Sequence, residues 1–159
     1  MIFYFSCTGN TKWAAEYLSK ATGERLINIS QSAAETHFHA APGERVGFCF
    51  PIHGWRPPIY VRKFISRLHI TTDSGEPPFC YAVCTAGDTV GEGMKMFKQD
   101  CEKAGIKVDS CASLLMPESY VGLPFMDVDK KENELRKKEQ AKPIPSVLFI
   151  VYLAQIYFF

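Results

Sequence analysis

The chain has 159 residues, enough for one domain with a sizeable buried core. Its composition, 47% hydrophobic and 22% charged, is ordinary for a globular protein, and a net charge of +1 leaves no global electrostatic footprint for nucleic acid. The six cysteines form no C-x-x-C pair and no repeated metal-ligand spacing, so they read as buried thiols in a reducing cytoplasm, with no metal expected.

Met1-Ile2-Phe3-Tyr4-Phe5 reads as a short buried strand, with no basic region of a signal peptide ahead of it. It stops at Ser6-Cys7-Thr8-Gly9-Asn10-Thr11, and a helical stretch follows from Lys12. A strand, a hydroxyl- and glycine-bearing turn and a helix start together aim backbone N–H groups and a positive helix end at an anion. A helix cap needs one hydroxylated residue, and this turn has several.

Gly23 predicts the end of the helix, and Leu26 to Ile29 a second strand. Ser30 to Glu44 is small, polar and weakly patterned, with room for a short helix at most. Arg45 to Phe50 is a third apolar strand, ended by Pro51-Ile52-His53-Gly54-Trp55-Arg56-Pro57-Pro58, which reads as irregular. Ile59 to Leu68 is helical, with Val61, Phe64, Ile65 and Leu68 as its apolar stripe. Thr71 to Pro78 reads as a polar connection.

Phe79 to Cys84 is a fourth strand, closing on Thr85-Ala86-Gly87-Asp88-Thr89-Val90-Gly91. Glu92 to Ala104 is helical, Gly105 ends it, and Lys107 to Met116 holds a fifth strand. Near-continuous apolar strands separated by helix-length segments imply parallel crossovers and a sheet covered on both faces, a doubly wound α/β sandwich. Ligands of such sheets sit beyond the carboxyl ends of the strands, which brings the loops 6–11, 51–58 and 85–91 together.

The first loop lacks the lysine of GxxxxGK[ST] and lacks GxGxxG. Its hydroxyls, the Asn10 amide and the N–H groups of Thr8 to Thr11 suit a single terminal phosphate. Trp55, beside Gly54 on a proline-braced loop, offers a stacking surface for a flat ring, and Arg56 could add positive charge beside it. Cys7 invites comparison with a phosphatase loop, but the arginine that C-x5-R chemistry needs is replaced by Trp13.

Phe5 to Trp13 resembles the phosphate loop of flavodoxins. Phe50 to Trp55 and Met116-Pro117-Glu118-Ser119-Tyr120 resemble the flavodoxin half of bacterial flavodoxin–ferredoxin fusion proteins. The resemblance spans Met1 to Lys142. It implies a flavodoxin-like sandwich with a five-stranded parallel sheet in the order 2-1-3-4-5, binding FMN. On the same resemblance Ser6, Thr8, Gly9, Asn10 and Thr11 would hold the phosphate. Pro51, His53, Gly54 and Trp55 would flank the ring, Thr85, Gly87 and Asp88 would line its far side, and Tyr120 would add a wall.

The implied function is electron transfer with redox partner proteins of reductase or ferredoxin type, in the cytoplasm, with neither nucleic acid nor membrane as partner. An FMN-dependent NAD(P)H or quinone reductase and a vestigial fold without flavin are the alternatives. No cysteine pattern for an iron–sulfur cluster occurs, and the chain lacks the strong acidity usual in flavodoxins. Residues 127–142 are highly charged, and 143–159 form an atypical apolar tail, shorter than the roughly 20 residues of a membrane span.

Overall fold

A computed structural model describes residues 1–32, 34–117 and 135 of the chain. Its centre is a five-stranded, all-parallel sheet built from β1 (Ile2–Tyr4), β2 (Leu26–Asn28), β4 (Val46–Pro51), β6 (Cys80–Ala86) and β7 (Ser110–Leu115). The spatial order is β2-β1-β4-β6-β7, which is the expected 2-1-3-4-5 once two additional short strands are counted. All seven residues of β6 and the first five of β4 are buried, which is why these strands read as continuous apolar runs.

The helices are α1 (Asn10–Thr22), α2 (Ile59–Ile65) and α3 (Gly93–Lys103). Ala14, Ala15 and Leu18 of α1 pack on one sheet face with Ile2, Cys49, Tyr81 and Val83. The other face is aromatic. Phe3 stacks on Phe48 with ring centroids 5.6 Å apart, and Phe50 stacks on Phe97 of α3 at 4.3 Å. Each such buried side chain contributes about 1.5–3 kcal/mol through removal from water. Arg62 of α2 holds Asp100 of α3 through both carboxylate oxygens, at 2.6 and 3.2 Å.

Two stretches expected to be irregular are strands. β3 (His37–Ala40) pairs in parallel with β5 (His69–Thr72) to form a separate two-stranded sheet. The expected helix over 59–68 ends at Ile65, and the polar connection begins as β5. The physical reason is long-range. Phe38 turns inward onto Phe3, centroids 4.8 Å apart, while His37 stacks on His69 outside. A four-residue strand whose partner lies about thirty residues away has no local signature.

The six cysteines are free thiols, four of them buried. Burial pushes the Cys80, Cys84 and Cys101 thiols up to about 12, so they pack as small apolar groups. Among the described residues no helix is long and apolar enough to cross a membrane. The tail 143–159 and Tyr120 lie outside the described residues. The charged stretch 127–142 lies outside them too, apart from Leu135, which is exposed.

Glu44 carries a pH dependence. Burial works to raise its carboxyl, but the Met1 ammonium at 2.9 Å, the Ala41 N–H and Arg25 outweigh it and hold the group below its ordinary 4.5. A carboxylate depressed by folding contributes stability above its unfolded value and loses it as pH falls through the folded one. The urea midpoint should therefore drop as pH falls below about 4.5, and Glu44→Gln should be less stable at neutral pH and lose less on acidification. An identical acid slope in the variant would remove Glu44 from the explanation.

Candidate functional site

The three loops do converge. They border a cleft of roughly 740 Å³ at the carboxyl ends of the strands, within the size range of cofactor sites. Of the residues expected from sequence, Thr8, Asn10, Thr11, Pro51, His53, Gly54, Trp55, Thr85, Gly87 and Asp88 line it. Ser6 and Gly9, of the same loop, are not among the lining residues.

The first loop is braced by its own side chains. The Ser6 hydroxyl accepts the Gly9 N–H at 3.2 Å, and Gly9 adopts φ 100° to turn the chain into α1. Asn10 donates its amide to the Pro117 carbonyl at 2.9 Å, tying the loop to the end of β7. Thr11 and Thr85, 2% and 3% exposed, share a hydroxyl–hydroxyl bond of 2.7 Å that joins the first loop to the third. Among the described residues no side chain caps α1 at Gly9, and Asn10 and Thr11 of its first turn line the cleft, so this helix start is available to an anion there. Several of the expected ligand side chains thus hold the loop in shape, and the helix start supplies the donors.

The second loop is more regular than expected. His53 and Arg56 exchange both backbone hydrogen bonds, at 2.9 and 3.2 Å, around Gly54 (φ 55°) and Trp55 (φ 61°). Two successive residues in the left-handed region define a tight type I′ hairpin turn. Glycine takes this conformation freely. Trp55, the one non-glycine residue with positive φ among those described, takes it at a cost of about 1 kcal/mol. The turn holds the indole, 62% exposed, at the rim of the cleft.

The third loop supports that indole. A side-chain carbon on Gly91 would fall 2.7 Å from Trp55 Cδ1, and one on Gly93 would fall 2.5 Å from Ile52 Cδ1. Both glycines let the second loop lie directly on the start of α3. The Ile52 N–H donates to the Thr85 carbonyl at 2.8 Å, and the Met116 N–H to the Ala86 carbonyl at 2.7 Å, so the cleft floor continues the sheet.

Cys7, Ile52, Ala86, Thr89, Met116 and Pro117 also line the cleft and were missing from the expected set. Their signal was only position: Cys7, Ile52, Ala86 and Thr89 each neighbour an expected residue, and Met116 and Pro117 open the segment that leads to Tyr120. Arg56 faces a neighbouring groove with Phe5 and Tyr60. Among the described lining residues the charged side chain is Asp88, and no lysine or arginine is present. A phosphate here would be held by neutral donors and the helix end.

No protein-family model matches the sequence, and no curated protein sequence is recognisably similar to it. Solved structures do match in shape. The two-electron reduced flavodoxin of Megasphaera elsdenii superposes with a TM-score of 0.51 at 20% identity, over 75% of this chain and 89% of that one. A flavoprotein of Lactobacillus acidophilus in complex with FMN gives 0.51 at 12% identity, over 70% and 90%. At such identities the likeness concerns architecture, and with the parallel sheet ordered β2-β1-β4-β6-β7 it establishes that this chain has a flavodoxin-like fold.

Proposed function

We propose that the chain binds FMN in this cleft and serves as an electron-transfer protein. The observation that carries the reading is the convergence of an uncapped helix start and a tryptophan-bearing type I′ turn on one cofactor-sized cleft. FMN, when bound, supplies reversible electron chemistry of its own. In this reading the first turn of α1, with Ser6, Thr8, Gly9, Asn10 and Thr11 around it, holds the phosphate. Pro51, His53, Gly54 and Trp55 flank the ring on one side and Thr85, Gly87 and Asp88 on the other, with Tyr120 as a further wall. The same proposal takes in the kinship with the flavodoxin half of flavodoxin–ferredoxin fusions, and a reductase or ferredoxin-type protein as redox partner.

Titration of the purified chain with FMN and with riboflavin, followed by quenching of flavin fluorescence, tests the reading. FMN should bind one per chain and at least about tenfold more tightly than riboflavin, a difference of about 1.4 kcal/mol assignable to the phosphate. Equal affinity would remove the phosphate role of the first loop, and no uptake of either would leave a vestigial fold. Steady-state oxidation of NAD(P)H by the loaded protein would convert the carrier into a reductase.

A further inference from the structure

Between Arg45 and Thr72 the sequence contains no aspartate or glutamate, although it contains five arginines and lysines. Of the five, Arg45 lies at the far end of β4 on Glu24 and Arg62 is paired with Asp100, which leaves Arg56 and Lys63 as the exposed cations nearest the Trp55 turn. On α2, Val61, Phe64 and Ile65 are buried, while Ile59, Tyr60 and Lys63 face outward at helical spacing. Ile59 is 62% exposed and Tyr60 48%, next to Trp55 at 62%. Half of the large apolar side chains exposed among the described residues therefore stand together at one rim.

The rim is also shaped. Tyr60 stacks on Phe5 with centroids 5.8 Å apart, and the two, with Arg56 and Pro57, border a groove of roughly 530 Å³ next to the cleft. Asp100 reaches this side from α3, but both of its oxygens are taken by Arg62. Arg56 and Lys63 are left as exposed positive charge framing an apolar centre. A charged rim around aromatic anchors is the anatomy of a protein-docking surface, and the sign of the charge selects the partner.

We propose that the face formed by Trp55, Arg56, Ile59, Tyr60 and Lys63 docks an acidic redox protein. The inference takes its redox meaning from the FMN reading, whereas the contact itself does not need the flavin. An acidic partner is favoured over a basic one because a basic face would meet Arg56 and Lys63, whereas of the neighbouring carboxylates Asp100 is held by Arg62, Glu92 by Lys95, and Asp88 lines the cleft itself.

The test is calorimetric titration of the full chain with an acidic plant-type [2Fe–2S] ferredoxin, with the basic protein cytochrome c as counter-probe. A thymidine oligonucleotide serves as a non-protein polyanion. At an ionic strength of about 0.01 M the ferredoxin should bind and cytochrome c should not. Affinity for ferredoxin should fall at least about tenfold at about 0.15 M, where the screening length shortens from about 30 Å to about 8 Å. Arg56→Glu combined with Lys63→Glu should weaken it by a similar factor at low salt, with unchanged urea unfolding because both side chains are exposed. Tyr60→Ala should weaken it at both salt concentrations.

Absence of a ferredoxin complex at low salt, equal binding of cytochrome c, or an unaffected charge-reversal variant would each overturn the proposal. Tighter binding of the oligonucleotide than of ferredoxin would assign the face to nucleic acid and overturn it as well. Flavin content, read separately from visible absorbance, keeps the two readings apart. A colourless chain that still binds ferredoxin refutes FMN and not the docking face.

Discussion

Gly47→Ala should destabilise the protein by about 3–5 kcal/mol, a large fraction of the roughly 5–15 kcal/mol that holds a domain together. Gly47 and Tyr81 are direct partners across β4 and β6, and the Tyr81 ring lies over the glycine. An added methyl would sit 2.5 Å from Tyr81 Cζ and 2.6 Å from its hydroxyl oxygen. The ring has nowhere to go. Its hydroxyl donates to Glu24 Oε2 at 2.5 Å, and Arg45 Nε donates to Glu24 Oε1 at the same distance. Burial and the nearby Glu24 carboxylate raise the tyrosine's proton affinity, so it remains a donor.

Relieving the clash therefore breaks a buried charged network, and overpacking adds its own cost of about 1–3 kcal/mol. Urea unfolding measures the loss. The double variant Gly47→Ala with Tyr81→Leu should be more stable than the sum of the two single changes predicts, because the smaller side chain vacates the space. A loss below about 1 kcal/mol in Gly47→Ala would mean that the ring yields and the network is loose.

Gly91→Val should act on the site more than on the fold. The residue has φ 50°, and its added carbon would meet Trp55 Cδ1 at 2.7 Å, Cβ at 2.9 Å and Cγ at 3.0 Å. Trp55 is already held in the left-handed region, so it cannot retreat without opening the His53–Arg56 turn. We expect FMN affinity to fall at least about tenfold, with a loss of about 1–3 kcal/mol of global stability from backbone strain. Gly75→Ala is the control. Gly75 has φ 76° with open space around it, so the change should carry strain alone and leave flavin titration as in the parent. Equal flavin affinity in Gly91→Val would detach Trp55 from the binding site.

Much of this was legible along the chain. Runs such as Val46–Pro51, and Cys80–Ala86 apart from Thr85, are apolar because both of their faces are covered. Glycine-bearing loops after the first, third and fourth strands of the main sheet pointed to one end of the molecule, and the cleft is there. The β3–β5 pair was not legible, because His37 and His69 are neighbours only through crossovers that the main sheet imposes. Nor was the second loop's hairpin turn, since Trp55 has no intrinsic preference for positive φ and is held there by its surroundings.

The loop from Ser6 to Thr11 shows where the division falls. Residue order alone determined a strand, a small hydroxylated turn and a helix start, since each follows from local chemistry: apolar run, glycine, helix formers. Whether those hydroxyls bind a ligand or brace the loop depends on what the rest of the chain places beside them. Thr85 arrives 74 positions later to take the Thr11 hydroxyl, and Pro117 arrives 107 positions later to take the Asn10 amide. Hydrogen-bonding capacity is written in the side chain. Its partner is chosen by packing, which no short window of sequence contains.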